Sequence, residues 1–341
     1  MQRFSWFEFI VSALYLTTAA VVMCTFALAV SIRLAVPQFF NIAEHENFSR
    51  GPFRLLDGVS VEADQEALRP VAVMVENHFE AQPIAGLEDA RIVYEAVVEG
   101  DITRFLVIFD PSFTAKQIGP VRSARPYFVT LAEEWDPIYF HAGGSPDALT
   151  QIRTSLMYNI NEISADGIYF WRDPSRPPPH NLFTSADQIK RALTLKDLPP
   201  SANFEPWKFY QPGEFDRPSS TQAVVDPSIF INSADYRVDY VYHPSTNSYT
   251  RMLAGEIQKS ASGIILRADN VVIQHVEAKI VDELGRHELT LDGRGLAEIY
   301  RNGQEILGSW RVTNGRTRFY DERGEEVVFV PGTVWISLSF E

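Results

Sequence analysis

Cysteine is almost missing from this chain: there is one in 341 residues, Cys24, inside an apolar N-terminal stretch. The remainder therefore has no disulfide and no thiol chemistry. A large extracytoplasmic domain built without disulfides is normal in bacteria and unusual in secreted animal proteins, so the chain reads as bacterial. Positive charge is also in deficit. Lysine and arginine number 30 against 44 acidic residues, giving a formal net charge of −14 and a pI of about 5.0. A surface of that sign repels phosphates, so no nucleic acid is expected as a partner and any anion site must be local. Repeats and low-complexity tracts are lacking too. With 45% hydrophobic and 22% charged residues the chain can bury a sizeable core, which excludes wholesale disorder.

What is present begins with a run free of charge, residues 9–30. About 20 apolar residues rising ~1.5 Å each span a bilayer, so residues 1–33 are expected to be a transmembrane anchor with Trp6 and Phe7 at an interface. A cleaved signal peptide has a shorter apolar region. A lipoprotein signal needs a small residue before its cysteine, whereas Met23 precedes Cys24, so an uncleaved helix is the preferred reading. Arg3 and the N-terminus favour the inside only weakly by the positive-inside rule, since Glu8 offsets them and Arg33 lies beyond. Setting Arg3, Glu8 and Arg33 aside leaves 28 basic and 43 acidic residues for the exposed part, which does not suit lying flat on anionic lipid.

Residues 34–69 read as a linker containing Pro37 and Arg50-Gly51-Pro52. Residues 70–205 then alternate strand and helix signals: strands at 71–75, 103–109 and 138–141, helices at 127–135 and 146–153, with Ser145 capping the second. A cluster of prolines between 196 and 222 marks a boundary, and residues 206–341 read as antiparallel β. Strands are expected at 237–242, 248–253, 270–279, 287–291, 297–301, 308–312 and 333–338, with Asp292-Gly293, Asn302-Gly303 and Asn314-Gly315 as hairpin turns. The expected fold class is α+β: the transmembrane helix, a mixed α/β module, and a C-terminal antiparallel β module packed against it.

Four segments carry the polar groups that sites use. In Gly119-Pro120-Val121-Arg122-Ser123-Ala124-Arg125-Pro126, two guanidinium forks before a helix start suit a carboxylate or phosphate, or else pair with structural carboxylates. In His141-Ala142-Gly143-Gly144-Ser145, glycines allow close approach to the backbone beside a histidine. No zinc-type spacing surrounds His141, so no metal or cofactor is expected, and Ser145 lacks a nucleophile elbow. Glu95 and Glu99, with Asp101 and Arg104 close behind, offer acid and base groups but read more readily as salt-bridge partners of the arginines. Residues 169–183, with Tyr169, Phe170, Trp171, a Pro177-Pro178-Pro179 run and His180, form either a packed loop or a stacking surface for sugar rings.

Taken with Arg69-Pro70-Val71-Ala72-Val73-Met74-Val75-Glu76-Asn77, Val98-Glu99-Gly100, Ile102-Thr103-Arg104-Phe105, Asn270-Val271-Val272-Ile273-Gln274 and Thr317-Arg318-Phe319-Tyr320-Asp321, these segments resemble the YerB family of bacterial cell-envelope proteins of unknown function. The resemblance covers residues 55–341. It implies an outward-facing, lipoprotein-like envelope protein of two modules, and no established reaction. Ala81-Gln82-Pro83 stands where relatives commonly carry Ala-Arg-Pro, so one basic group of any anion site is missing. The candidate binding residues are Glu95, Glu99, Arg104, Arg122, Ser123, Arg125, His141 and Ser145; no catalytic residue is assigned. Two functions are expected in competition. One is binding of an anionic or glycan-containing envelope ligand, or of a partner protein, through a single cleft around Arg122, Arg125 and His141. The other is an enzyme on envelope polymers, a hydrolase or a transferase using a phosphate-linked lipid.

Overall fold

A ten-stranded mixed sheet forms the middle layer of the protein. In the computed structural model, residues 52–100, 102–211, 227–229 and 234–340 are described. The expected spanning helix at residues 9–30 and the start of the linker lie outside the described residues. Among the described residues no helix is long and apolar enough to cross a membrane.

The sheet strands, in chain order, are β1 Val71–Glu76, β2 Ile92–Val97, β3 Thr103–Phe109, β4 Ile138–His141, β5 Tyr158–Asn161, β6 Asn270–His275, β7 Arg294–Arg301, β8 Gln304–Thr313, β9 Arg316–Asp321 and β10 Val334–Ser339. Their order across the sheet is β9-β8-β7-β6-β10-β2-β3-β1-β4-β5. The C-terminal strand β10 is the join between the halves of the chain. It runs parallel to β6, Val271 against Trp335, and parallel to β2, Val93 against Trp335. The later half is therefore not wholly antiparallel, as its hairpin signals suggest, because hairpin turns report only on sequence neighbours. The chain is sheet-rich with short helices: α1 Pro126–Glu133, α2 Pro146–Thr154 and α3 Ala186–Leu195.

Period-two alternation divides each central strand between two cores. Ala72, Met74, Ile92, Tyr94, Leu106 and Ile108 face one side, where they meet Phe128, Leu131 and Trp135 of the α1 region and Ala148 and Ile152 of α2. Val71, Val73, Val75, Val93, Phe105 and Val107 face the other, against Ile189 and Ala192 of α3. That second layer also holds a small sheet built on strands Val238–His243 and Ser248–Leu253, whose Tyr240 and Tyr249 are fully buried. Burial on both faces explains why β1 and β3 read as continuous apolar runs. Each large apolar side chain so buried contributes about 1.5–3 kcal/mol.

On the first side, Arg316 at the edge strand β9 lies buried with its guanidinium carbon 3.3 Å above the Trp135 ring and 4.7 Å from that of Trp207. The carboxylate of Glu134 accepts from the Thr317 amide at 3.0 Å and stands 3.6 Å from Arg316, which pins the end of α1 to β9.

Candidate functional site

The arginine-rich segment is held extended by backbone bonds on both sides. The Val121 amide donates to Leu182, the Arg122 amide to Met74, and the Ala124 amide to Gly143, at 2.7, 3.0 and 3.0 Å. Gly119 starts the segment at φ +137°, where a Cβ would stand 2.8 Å from the Leu182 carbonyl oxygen, so only glycine fits there. In an extended chain residues three apart point to opposite faces. Arg122 and Arg125 consequently diverge, and the single cleft expected around Arg122, Arg125 and His141 does not form.

Arg125 lines a cleft of about 440 Å³ together with Glu99, Ser123, Gly144, Ser145, Pro146, Leu284 and Arg286. Its Nε donates to Glu99 at 2.8 Å. Arg104 stands behind, donating to the Ser123 carbonyl at 2.8 Å and lying 3.8 Å from Glu99. Burial, and then the neighbouring Arg125 cation, bring the Arg104 guanidinium down to about 10, which leaves it charged at neutral pH. Arg286 reaches the cleft from the turn between strands Glu277–Ile280 and His287–Thr290, and is paired with Asp282 at 2.6 Å. Three arginines thus accompany two carboxylates around this cleft. It is a shallow groove open to solvent rather than an enclosed pocket.

The two serines are occupied. Ser145 caps α2, accepting from the Ala148 amide at 3.4 Å, and Ser123 donates to the Ala142 carbonyl at 2.8 Å. His141 is fully buried beneath the Gly-Gly turn. Its Nδ1 donates to the Gly143 carbonyl at 2.7 Å, since a carbonyl can only accept, and burial lowers its pKa below the usual histidine value. It stacks on Tyr139 with ring centres 5.1 Å apart and holds the turn, at φ +64° for Gly143, against the cleft floor.

Glu95 belongs elsewhere. It is fully buried on the opposite face of the sheet, 2.7 Å from Nη2 of Arg251 of the small sheet, itself fully buried. Thr103 donates to Glu95 at 2.9 Å and Asn77 at 3.2 Å; Gln82 in turn donates to Asn77 at 2.9 Å. Arg251 packs between the rings of Phe105 and Trp335, at 5.5 and 4.9 Å. Glu95 therefore neutralises a buried cation between the main sheet and the small one and takes no part in the Arg125 cleft. Arg251 was not expected from sequence, because one arginine in a strand has no local signal of burial.

Arg122 sits in a third group, 2.6 Å from Glu76. The other Glu76 oxygen is 3.0 Å from Nδ1 of His180, and Nε2 of His180 is 3.2 Å from Glu80. His78 completes this cluster, its ring 4.8 Å from that of His180. His78, Glu80 and His180 each present a ligand-type atom within 4.8 Å of the others. The grouping has no mark in the sequence, where His180 belongs to an aromatic, proline-rich loop about a hundred residues beyond the short turn after β1 that carries His78 and Glu80.

These features describe a sheet-rich, two-core protein with polar clusters at the loop ends of β1 and β4. The chain belongs to a family of unknown function: residues 56–198 match "Protein of unknown function (DUF3048) N-terminal domain" and residues 228–336 the corresponding C-terminal domain. It is 36% identical over 284 residues to "Putative lipoprotein YerB" of Bacillus subtilis (strain 168), which spans 83% of this chain and 85% of the relative. The crystal structure of YerB from Bacillus subtilis matches with a TM-score of 0.76 at 34% identity, covering 84% of this chain and 96% of the crystallised one. The resemblance drawn from the motifs is thereby shown, and with it the reading of the chain as YerB-like and of uncharacterised family.

Proposed function

We propose that this is a membrane-anchored extracytoplasmic protein that binds an anionic, glycan-containing envelope ligand in the Arg125 cleft. The observation that carries the reading is the meeting of Arg125 and Arg286, from two distant parts of the chain, in one cleft with Arg104 behind them. Within a chain of net charge −14, such a local excess of guanidinium favours a carboxylate or phosphate held by forked hydrogen bonds. The ligand competes with Glu99 for Arg125 and leaves Arg104 paired. Residues 9–30 serve as the anchor, and the relative named as a lipoprotein supports attachment to the outer face of a membrane. A partner protein presenting an acidic loop would use the same groups.

The enzyme reading is weaker, because the Ser123 hydroxyl donates to the Ala142 carbonyl, that of Ser145 caps α2, and the Glu99 carboxylate in the same cleft is paired with Arg125. Calorimetric titration of the full chain with soluble anionic cell-wall fragments decides between the readings. Arg125→Ala and Arg286→Ala are each expected to weaken binding about tenfold or more, as loss of a charge-assisted bond implies. Binding indifferent to both substitutions would remove the site, and turnover of the fragment would move the protein to the enzyme class.

A further inference from the structure

We propose that His78, Glu80 and His180 form a binding site for one divalent transition-metal ion of the zinc class, with Glu76 and Arg122 as positioning residues. Two imidazoles and a carboxylate make a donor set that suits zinc and related first-row ions and leaves at least one coordination position open. The spacing is close to what an ion requires. Zinc bonds of ~2.0–2.2 Å in a tetrahedron place neighbouring donors roughly 3.4 Å apart. Glu80 Oε2 already stands 3.2 Å from His180 Nε2 and 3.8 Å from His78 Nδ1.

The surroundings are those of a supported ligand. Glu76 at 3.0 Å takes the Nδ1 hydrogen of His180, which directs its Nε2 toward Glu80; a carboxylate behind a ligating histidine fixes tautomer and ring orientation in this way. Arg122 at 2.6 Å holds the second Glu76 oxygen, and both Glu76 and His180 are buried. The two loops are tied together by Arg176, which donates to the Ala81 and Pro83 carbonyls at 2.7 and 2.8 Å. His78 Nδ1 accepts from the Glu80 amide at 3.2 Å, a bond the ring gives up when it turns that lone pair to an ion. The His78 and His180 rings lie within 20° of parallel, so His78, the more exposed of the two, turns to bring both lone pairs onto one ion. Glu80 is 56% exposed and free to follow. The open position faces solvent on that side, where a water or an anionic oxygen of a ligand would complete the shell. The site is separate from the Arg125 cleft and does not depend on it.

A proton on His180 bridging Glu76 and Glu80 is the rival account, and zinc itself distinguishes the two. The full-length chain, without a polyhistidine tag, is stripped with a chelator and dialysed against zinc chloride, and bound metal is measured by elemental analysis. One equivalent per chain is expected. His78→Gln and His180→Gln should each lower affinity at least a hundredfold, and Glu76→Gln about 10–100-fold, as for other orienting partners. Cobalt(II) in place of zinc should give visible d–d bands that His78→Gln abolishes. Because His78 lies at the rim, that variant tests the site even if His180→Gln does not fold. No zinc uptake by the wild-type chain, or uptake that His78→Gln leaves unchanged, overturns the proposal.

Discussion

Glu95→Gln keeps the shape of the side chain and removes only its charge, leaving Arg251 as an unneutralised cation in a site with no exposure to water. The carboxylate oxygen is 2.7 Å from Nη2, and charge centres about 4 Å apart at an effective dielectric of ~20 attract by about 4 kcal/mol. Breaking a buried pair from one side costs about 3–5 kcal/mol, which agrees with that figure. The Thr103 and Asn77 hydrogen bonds to the other oxygen survive in the glutamine variant, so the loss reports mainly the charge. Arg251→Met keeps the contacts with Phe105 and Trp335 and strands the carboxylate instead, with a loss of similar size. Combining the two should recover at least about 2 kcal/mol of the summed loss, since neither leftover charge remains. Urea unfolding of the full-length chain, followed by tryptophan fluorescence, measures all three. Against a typical total of about 5–15 kcal/mol the single variants would be conspicuous. Single losses under about 1 kcal/mol, or additivity within ~0.5 kcal/mol, would refute the view that this pair is a neutralised buried charge joining the main sheet to the small one.

Two further substitutions test the electrostatics of the fold. Burial raises Asp269 to about 6, so the native state binds its proton more tightly than the unfolded chain does, and that contribution is lost as pH rises from about 4 through 6. Asp269→Asn keeps an acceptor for the Thr333 amide at 2.7 Å and should stabilise by about 1–2 kcal/mol at pH 7 with little gain at pH 4, as urea midpoints at both pH values will show. Arg316→Ala should cost about 3–5 kcal/mol at pH 7 and alter tryptophan emission, because it removes the cation between Trp135 and Trp207. Burial already raises the Glu134 pKa, and without Arg316 it rises further, so the deficit should be smaller at pH 5 than at pH 7; an equal deficit would argue against the pairing.

Local signals carried the elements well. Residues 103–109 and 138–141 were expected as strands and are β3 and β4, and Ser145 caps α2 as its position before Pro146 suggests. The hairpin turn at Asn302-Gly303 does join β7 to β8, with Arg301 opposite Gln304. Strands β5 and β9 and helix α3 have no counterpart among the expected elements. Tyr158–Asn161 is largely exposed and so has no apolar run, although Ser185 ahead of the amphipathic stretch was a usable start signal for α3.

The candidate residues divide along the same line. The sequence by itself determined which segments would be polar, extended or turned, because those properties depend on neighbours within a few residues. It also determined kinship with the YerB family and the apolar run at residues 9–30. Only tertiary structure decided which of those polar groups meet. Glu99, Ser123, Arg125 and Ser145 line one cleft with Arg104 behind, Glu95 is spent on Arg251, and Arg122 turns to Glu76 and His180. One extended segment sends its arginines to opposite faces, and β10 returns from the chain's end to lie beside β2. Such pairings rest on sheet register and on contacts between residues far apart in the chain, for which a single sequence has no local mark.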